Sequence, residues 1–288
     1  MEKEKKSVAL LSVVGAFFLT IFKLVVGLLT GSLGILSEAL HSTLDFIAAI
    51  ITYFSVRISD KPADENHHYG HGKIENLSAL IETVLLLVTC VWIIYEATHR
   101  LVTGKTLIEV NAWSYIVVVT SIIIDFSRSR ALSRVAKKYN SQALEADALH
   151  FSTDIWSSAV VLVGLICAHF GLFVADSIAA LVVAMIVIYI SYRLGKRSIE
   201  VLLDKVPSGT FGKVELVLQT IPEITRFHNL RIRASGPYTF VDVNIHVQPS
   251  LTIEEAHEIS HKVEAEIRKI ITRCEIHIHE EPEERVTN

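Results

Sequence analysis

The chain has 288 residues, 51% hydrophobic and 20% charged, with a formal net charge of -4 and a mean hydropathy of +0.43. That apolar content excludes a disordered chain, and the acidic balance argues against a nucleic-acid partner, which favours basic domains. Three widely spaced cysteines, Cys90, Cys167 and Cys274, make no disulfide framework.

A helix needs about twenty apolar residues to cross a bilayer, and in chain order six runs qualify. Ser7 to Thr30 is the first, with the single charge Lys23. Ser32 to Val56 carries Glu38, His41 and Asp45, and Leu77 to Ala97 is the third. Ala112 to Phe126 is shorter, ends beside Asp125, and is expected to continue helically into the basic stretch that follows. Ala143 to Phe170 holds Asp147, His150 and Asp154, and Leu172 to Leu194 is the last. Short cytoplasmic loops carry excess Lys and Arg. Lys3, Lys5 and Lys6, then Arg57, Lys61 and Lys73, then Arg128 to Lys138, then Arg193 to Lys205 fall on one side. Arg100 and Lys105 fall on the other. The alternation puts both termini in the cytoplasm and requires an even number of spans. The first run is too long for a signal peptide and lacks a small-residue cleavage site.

From Asp204 the character changes, which sets a division into 1–203, in the membrane, and 204–288, in the cytoplasm. The second part holds six of the thirteen histidines. Thr210 to Thr220 reads as a helix ended by Pro222. Arg226 to Ala234 and Tyr238 to Gln248 read as strands joined through Ser235-Gly-Pro237. Ile253 to Ile271 reads as an amphipathic helix opened by a Thr252/Glu255 capping box, and Glu275 to Glu280 as a last strand. An α-β-β-α-β order predicts an antiparallel sheet backed by helices.

Charged side chains inside a bilayer are expensive and mark pathways or pairs. His41 and Asp45 stand four apart on the second span, and His150 and Asp154 four apart on the fifth. Each pair shares a helix face. Facing one another, the pairs present two imidazoles and two carboxylates, a tetrahedral set of the kind zinc takes. Binding then competes with protons, because the ligands must be deprotonated. The other reading of each pair is a hydrogen bond that ties helices together. Glu38 and Lys23 read as snorkelling or paired side chains, Asp125 as the partner of Arg128, and Glu82 and Asp176 as interfacial.

The stretch from Asp60 to Lys73 concentrates Asp64, His67, His68 and His71. It reads either as a solvated loop or as a metal site at the membrane surface. In the tail, His257 and His261 are four apart on a helix, His277 and His279 alternate on a strand, and His246 shares a strand face with Asn244.

The segments Gly31 to His41 with Asp45, Pro62 to Lys73, and Asp147 to His150 with Asp154, together with Ser235-Gly-Pro237 and Glu255-Ala-His257, resemble the cation diffusion facilitators over nearly the whole chain. These are six-span metal–proton antiporters of the zinc and iron efflux type. The resemblance implies an α-helical membrane domain followed by a metallochaperone-like α+β cytoplasmic domain, and a homodimer. It implies a transport site at His41, Asp45, His150 and Asp154, where some bacterial members have aspartate in place of His41; histidine looks more like the zinc-selective branch. It implies a second site at Asp64, His67 and His71. In the tail, His228, His257, His279 and Glu281 fall on binuclear-site positions. Asn244 stands where a ligand histidine is expected, with His246 as the candidate substitute. Lys73 and Asp204 match an inter-domain charge pair.

The expectation is Zn2+ export from the cytoplasm in exchange for protons, by alternating access, across a lipid bilayer of the bacterial inner-membrane type. Fe2+, Cd2+, Co2+ and Ni2+ are alternative cargoes. Other classes are weaker. A membrane metalloprotease would need His-Glu-x-x-His within a span, whereas the sequence holds that spacing only at His257-Glu-Ile-Ser-His261, in the tail and outside the six apolar runs. A non-transporting metal sensor would bind without flux, and a channel would ignore a pH gradient.

Overall fold

The computed structural model describes residues 2–31, 33–103, 112–169, 173–236 and 238–283. Lys105 and Pro237 lie outside the described residues, as does the side chain of Asp176. By contact the chain falls into two compact units, residues 1–62 with 74–199 and residues 63–73 with 200–288.

The first unit is helical: α1 (Glu2–Thr30), α2 (Leu33–Ser59), α3 (Ile74–Thr103), α4 (Ala112–Tyr139), α5 (Gln142–His169) and α6 (Phe173–Leu202). Helices of 27 to 30 residues rise about 40–45 Å, longer than the ~30 Å hydrocarbon core. Gly31, at φ 67, separates α1 from α2, and Asn140, at φ 52, separates α4 from α5; both residue types tolerate the left-handed conformation that ends helices. As expected, α4 runs past Asp125 through the basic stretch to Tyr139.

Polarity is inverted relative to a water-soluble bundle. Leu29, Val88, Trp92, Ile123 and Met185 are exposed, whereas Ser12, Thr52, Ser55, Glu82 and Asp147 are buried. Lipid is as apolar as leucine, so helix contacts rest on close packing and interhelical hydrogen bonds. Small residues line these contacts, including Ala9, Ala16, Ala48, Ala49, Ala143, Ala146 and Ala148. At Gly195 an added methyl would come within 2.9 Å of the Thr83 side chain. Among the described residues, Lys3–Thr30, Glu38–Ser59 and Ile74–His99 are long and apolar enough to span by composition alone. α1 packs on α2 and α4, α4 on α5, and α5 on both α3 and α2, so α2 and α5 meet inside the bundle.

The second unit contains α7 (Thr210–Thr220), β1 (Arg226–Ser235), β2 (Tyr238–Val247), α8 (Ile253–Ile270) and β3 (Cys274–Pro282). The expected antiparallel sheet is corrected to a mixed one. β1 pairs antiparallel with β2, but β2 pairs parallel with β3, in the order β1-β2-β3. The reason is α8. A helical crossover carries the chain back to the starting end of β2, so the next strand must run alongside it in the same direction. Val241, Val243, Ile245 and Val247 point to the helical side, where they pack with Val214, Leu218, Ile259, Val263 and Ile267. The alternate residues Asp242, Asn244 and His246 therefore share the other face. α8 opens with the expected capping box, in which Thr252 Oγ1 accepts from the Glu255 amide at 3.2 Å and Glu255 Oε2 accepts from the Thr252 amide at 2.8 Å.

Residues 63–73 belong to this unit because Gly72 packs against the β1–β2 turn. A methyl at Gly72 would sit 2.5 Å from the Ser235 carbonyl oxygen. Tyr69 meets Phe240 edge-on with centroids 5.2 Å apart, and the Arg233 guanidinium lies 4.0 Å over the Tyr69 ring.

Candidate metal centres

Among the described residues three clusters of metal-ligating side chains emerge, one in the helical unit and two in the other. In the first, the i, i+4 spacing aims His41 and Asp45 from α2 at His150 and Asp154 from α5. Asp45 Oδ1 lies 2.9 Å from His150 Nε2 and 3.7 Å from His41 Nε2. Asp154 Oδ1 lies 3.5 Å from His41 Nε2, and its Oδ2 lies 3.6 Å from His150 Nε2. Zinc–ligand bonds of about 2.0–2.1 Å at tetrahedral angles put ligand atoms roughly 3.3 Å apart. These four His–Asp separations bracket that value; His41, Asp45 and Asp154 offer ligand atoms within 4.8 Å of one another, and His150 stands beside the two carboxylates. Two carboxylates and two neutral imidazoles also balance a divalent charge. Asp154 Oδ2 and His150 Nδ1 are buried without a hydrogen-bond partner.

Around this centre the bundle holds further polar contacts. Arg128 donates to Asp125 Oδ1 at 3.1 Å, as the sequence anticipates, and to Ser12 Oγ at 3.2 Å; Ser12 donates to Asp147 Oδ2 at 3.2 Å. Lys23 pairs with Glu38 at 3.1 Å, so neither snorkels alone. Glu82 is not interfacial: it is 0% exposed inside the bundle, hydrogen-bonded by Thr52 and, at 3.3 Å, by Ser78. Hydropathy averages such a residue away among its apolar neighbours. Lys5, Asp60 and Glu75 also form a buried knot, with Lys5 Nζ 2.5 Å from Asp60 and 3.0 Å from Glu75. Distant positions in the sequence gave no sign of it.

The second cluster is in the 63–73 loop. His67 Nδ1 lies 3.0 Å from Asp64 Oδ1, and His71 Nε2 lies 3.3 Å from Asp64 Oδ2. The two imidazole centroids are 4.4 Å apart. Desolvation pushes the Asp64 carboxyl up, but the backbone N–H groups of Asn66 and His67, which donate to its Oδ1, together with the His67 ring outweigh it and hold its pKa below the ordinary value. His68 turns away to the Glu65 carbonyl at 3.1 Å and stands outside the cluster.

The third cluster is on the helix-free face of the sheet. His246 Nε2 lies 3.1 Å from His228 Nδ1 and 3.4 Å from Glu281 Oε2, and His228 Nε2 lies 3.7 Å from Glu281 Oε1. The register explains it: His228 is opposite Asn244, and His246 is opposite Glu281. Asn244 does not supply a ring nitrogen here. Its amide donates to Glu281 Oε1 at 2.7 Å and, with the neighbouring histidines, holds the Glu281 pKa down. His279 reaches Glu281 at 3.7 Å but is largely exposed. His257 is on α8, exposed, with its ring 4.4 Å from that of His261, and is not gathered with the other three within one chain. Lys73 Nζ lies 2.8 Å from Asp204 Oδ1, and Arg233 lies 3.8 Å from the other oxygen of the same carboxylate.

Comparison with known proteins gives these clusters a setting. Residues 9–203 match the cation efflux transmembrane domain, and residues 206–283 match the cytoplasmic domain of cation efflux proteins. An uncharacterized transporter of Methanocaldococcus jannaschii is 31% identical over 96% of this chain and 98% of its own. The cation-efflux pump FieF of Pectobacterium atrosepticum is 31% identical over 88% of this chain and 84% of its own. Among solved structures, the metal-bound C-terminal domain of the CzcD transporter of Thermotoga maritima is 29% identical. It covers 27% of this chain and 91% of its own, with a TM-score of 0.26. With both halves matched and full-length relatives aligned almost end to end, this chain belongs to the cation efflux family and is an integral membrane transporter with a six-helix membrane domain.

Proposed function

We propose that the protein exports divalent metal, with Zn2+ as the foremost cargo, from the cytoplasm in exchange for protons. The observation that carries this reading is the convergence of His41, Asp45, His150 and Asp154 from two spans on one buried point. Four protein ligands leave no open position for a substrate water, which suits carriage of the ion better than catalysis by it. Softer imidazole nitrogens beside two carboxylates suit zinc, and the same donors accept Fe2+, Co2+, Ni2+ and Cd2+.

The metal enters from the cytoplasmic side and takes the lone pairs that protons held. The helices then re-expose the site outward, where a more acidic medium reprotonates the ligands and ejects the ion. Free imidazole titrates near pH ~6.5, so the exchange falls in an accessible range. The Lys and Arg distribution supports cytoplasmic termini in a bacterial-type inner membrane.

Residues 1–203 carry transport in this reading, and residues 204–288 carry dimerisation and metal sensing. The clusters at Asp64, His67 and His71 and at His228, His246 and Glu281, with His279 at its edge, are regulatory. Lys73 and Asp204 tie the loop to the tail, and His257 completes a tail site with a second chain. Metal bound there can shift the transport cycle only by favouring one conformation over another.

The test is zinc uptake into proteoliposomes, wild type beside Asp154→Ala. Uptake that is present in the first and lost in the second supports the site. Equal uptake in both removes it.

A further inference from the structure

Glu82 plays no part in the four-ligand centre, yet with Asp147 it is one of two fully enclosed carboxylates near it among the described residues. It is 0% exposed, on α3. Its Oε1 accepts from the hydroxyl of Thr52 on α2 and, at 3.3 Å, from that of Ser78 one turn away. Its Oε2 is buried with no partner, and among the described residues no Lys or Arg forms an ion pair with it. From α5 two ionisable groups act on it through space, the like charge of Asp147 and the imidazole of His150. Asp147 is itself 0% exposed, with Oδ1 also unpartnered and Oδ2 held by Ser12.

A helix that needed only packing here would carry an apolar residue or an amide. A carboxyl enclosed without a cation is costly in its charged form, and it has one oxygen left over for a proton. We propose that Glu82 is a proton-carrying group of the transport cycle, loaded when the four-ligand centre is empty and unloaded when a divalent cation occupies it. The proposal rests on the antiport reading above and deepens it.

The proton on Glu82 is held by a group that is not a ligand of the metal. A dication settling beside His150 places positive charge near Glu82 across a poorly screening interior. The proton on Oε2 is then repelled and leaves to water; when the metal departs, one proton returns to the same oxygen. The coupling is reciprocal, so a protonated Glu82 weakens metal binding by the same factor. This would let the protein exchange more protons per ion than its ligands alone displace.

The experiment measures zinc influx and proton efflux together in proteoliposomes containing the full chain, using an entrapped pH dye, for the wild type, Glu82→Gln and Glu82→Asp. Glu82→Gln is expected to keep zinc flux while its proton-to-zinc ratio falls by about one. Glu82→Asp, which keeps a titratable carboxyl, is expected to restore the wild-type ratio. A role in packing alone would not separate the two variants. A wild-type ratio in Glu82→Gln overturns the proposal and leaves antiport standing. Zinc flux without proton counterflux in the wild type overturns the antiport reading, and this proposal with it. Should Glu82→Gln fail to fold, Thr52→Val removes the hydroxyl donor with little change of shape. The pH midpoint of counterflux is then expected to move, and an unmoved midpoint overturns the proposal.

Discussion

On the proposed antiport reading, zinc binding at His41, Asp45, His150 and Asp154 should depend on pH, for a reason that lies in the geometry of these four side chains. His150 Nε2 is 2.9 Å from Asp45 Oδ1, and His41 Nε2 is 3.5 Å from Asp154 Oδ1. Each imidazole therefore directs at a carboxylate the nitrogen that a metal would take, and in the imidazolium form that nitrogen carries a proton which the carboxylate accepts. Zinc must displace it. Counting the ligands alone, zinc that displaces one proton from each imidazolium releases about two protons per ion. By linkage the affinity then falls up to about 100-fold per unit of acidification. His150→Gln removes one of the two and reduces the slope to about 10-fold per unit.

The assay is calorimetric zinc binding at a series of pH values, repeated in buffers of different ionisation enthalpy to count protons. The binding attributable to this centre is the difference between the wild type and Asp154→Ala, because the loop and tail clusters remain in both. An affinity that is flat with pH, or a slope unchanged by His150→Gln, would refute the reasoning.

Three further expectations test other parts of the molecule. Thr252→Ala removes the side chain that accepts from the Glu255 amide and should destabilise α8 by about 1 kcal/mol; hydrogen exchange of the Glu255 amide in the full chain should speed up several-fold, and unchanged protection would dismiss the cap. Asn244→Val removes the donor at 2.7 Å from Glu281 and should move the Glu281 pKa up toward the ordinary 4.5. Because that pKa is depressed in the folded chain, its stabilising contribution is present above about 4.5 and fades as the pH falls through the folded value. Carboxyl-detected NMR should therefore show a later loss of charge on acidification in the wild type than in the variant, and coincident titrations would contradict this. Gly72→Ala places a methyl 2.5 Å from the Ser235 carbonyl oxygen, an overpacking of about 1–3 kcal/mol. It should release Tyr69 from Phe240, read as increased solvent quenching of Tyr69 or faster proteolysis in the 63–73 loop; wild-type behaviour in both would count against that contact.

Hydropathy reaches part of this architecture and misses part. The helices were legible because apolar length and Lys/Arg asymmetry are summed over many residues. The i, i+4 pairs were legible because a helix converts spacing into a shared face. The parallel pairing of β3 was not visible in strand composition; it follows from where α8 returns the chain. His246 could be named as a candidate ligand, yet only the register that sets it opposite Glu281 brings it beside His228. The buried contacts of Glu82, Asp147 and Lys5 were hidden for a different reason. Each depends on residues from other helices, such as Thr52, Ser12 and Glu75, and a one-dimensional pattern carries no information on which faces meet.

The most direct test of antiport through the four-ligand centre is zinc flux in proteoliposomes under pH gradients of both signs, with no other driving force. The account predicts that net zinc movement reverses when the gradient is reversed, always opposite to the proton flow, and that Asp154→Ala abolishes it in both directions. Zinc flux that runs down its own gradient at the same rate whatever the sign of the pH difference would contradict it.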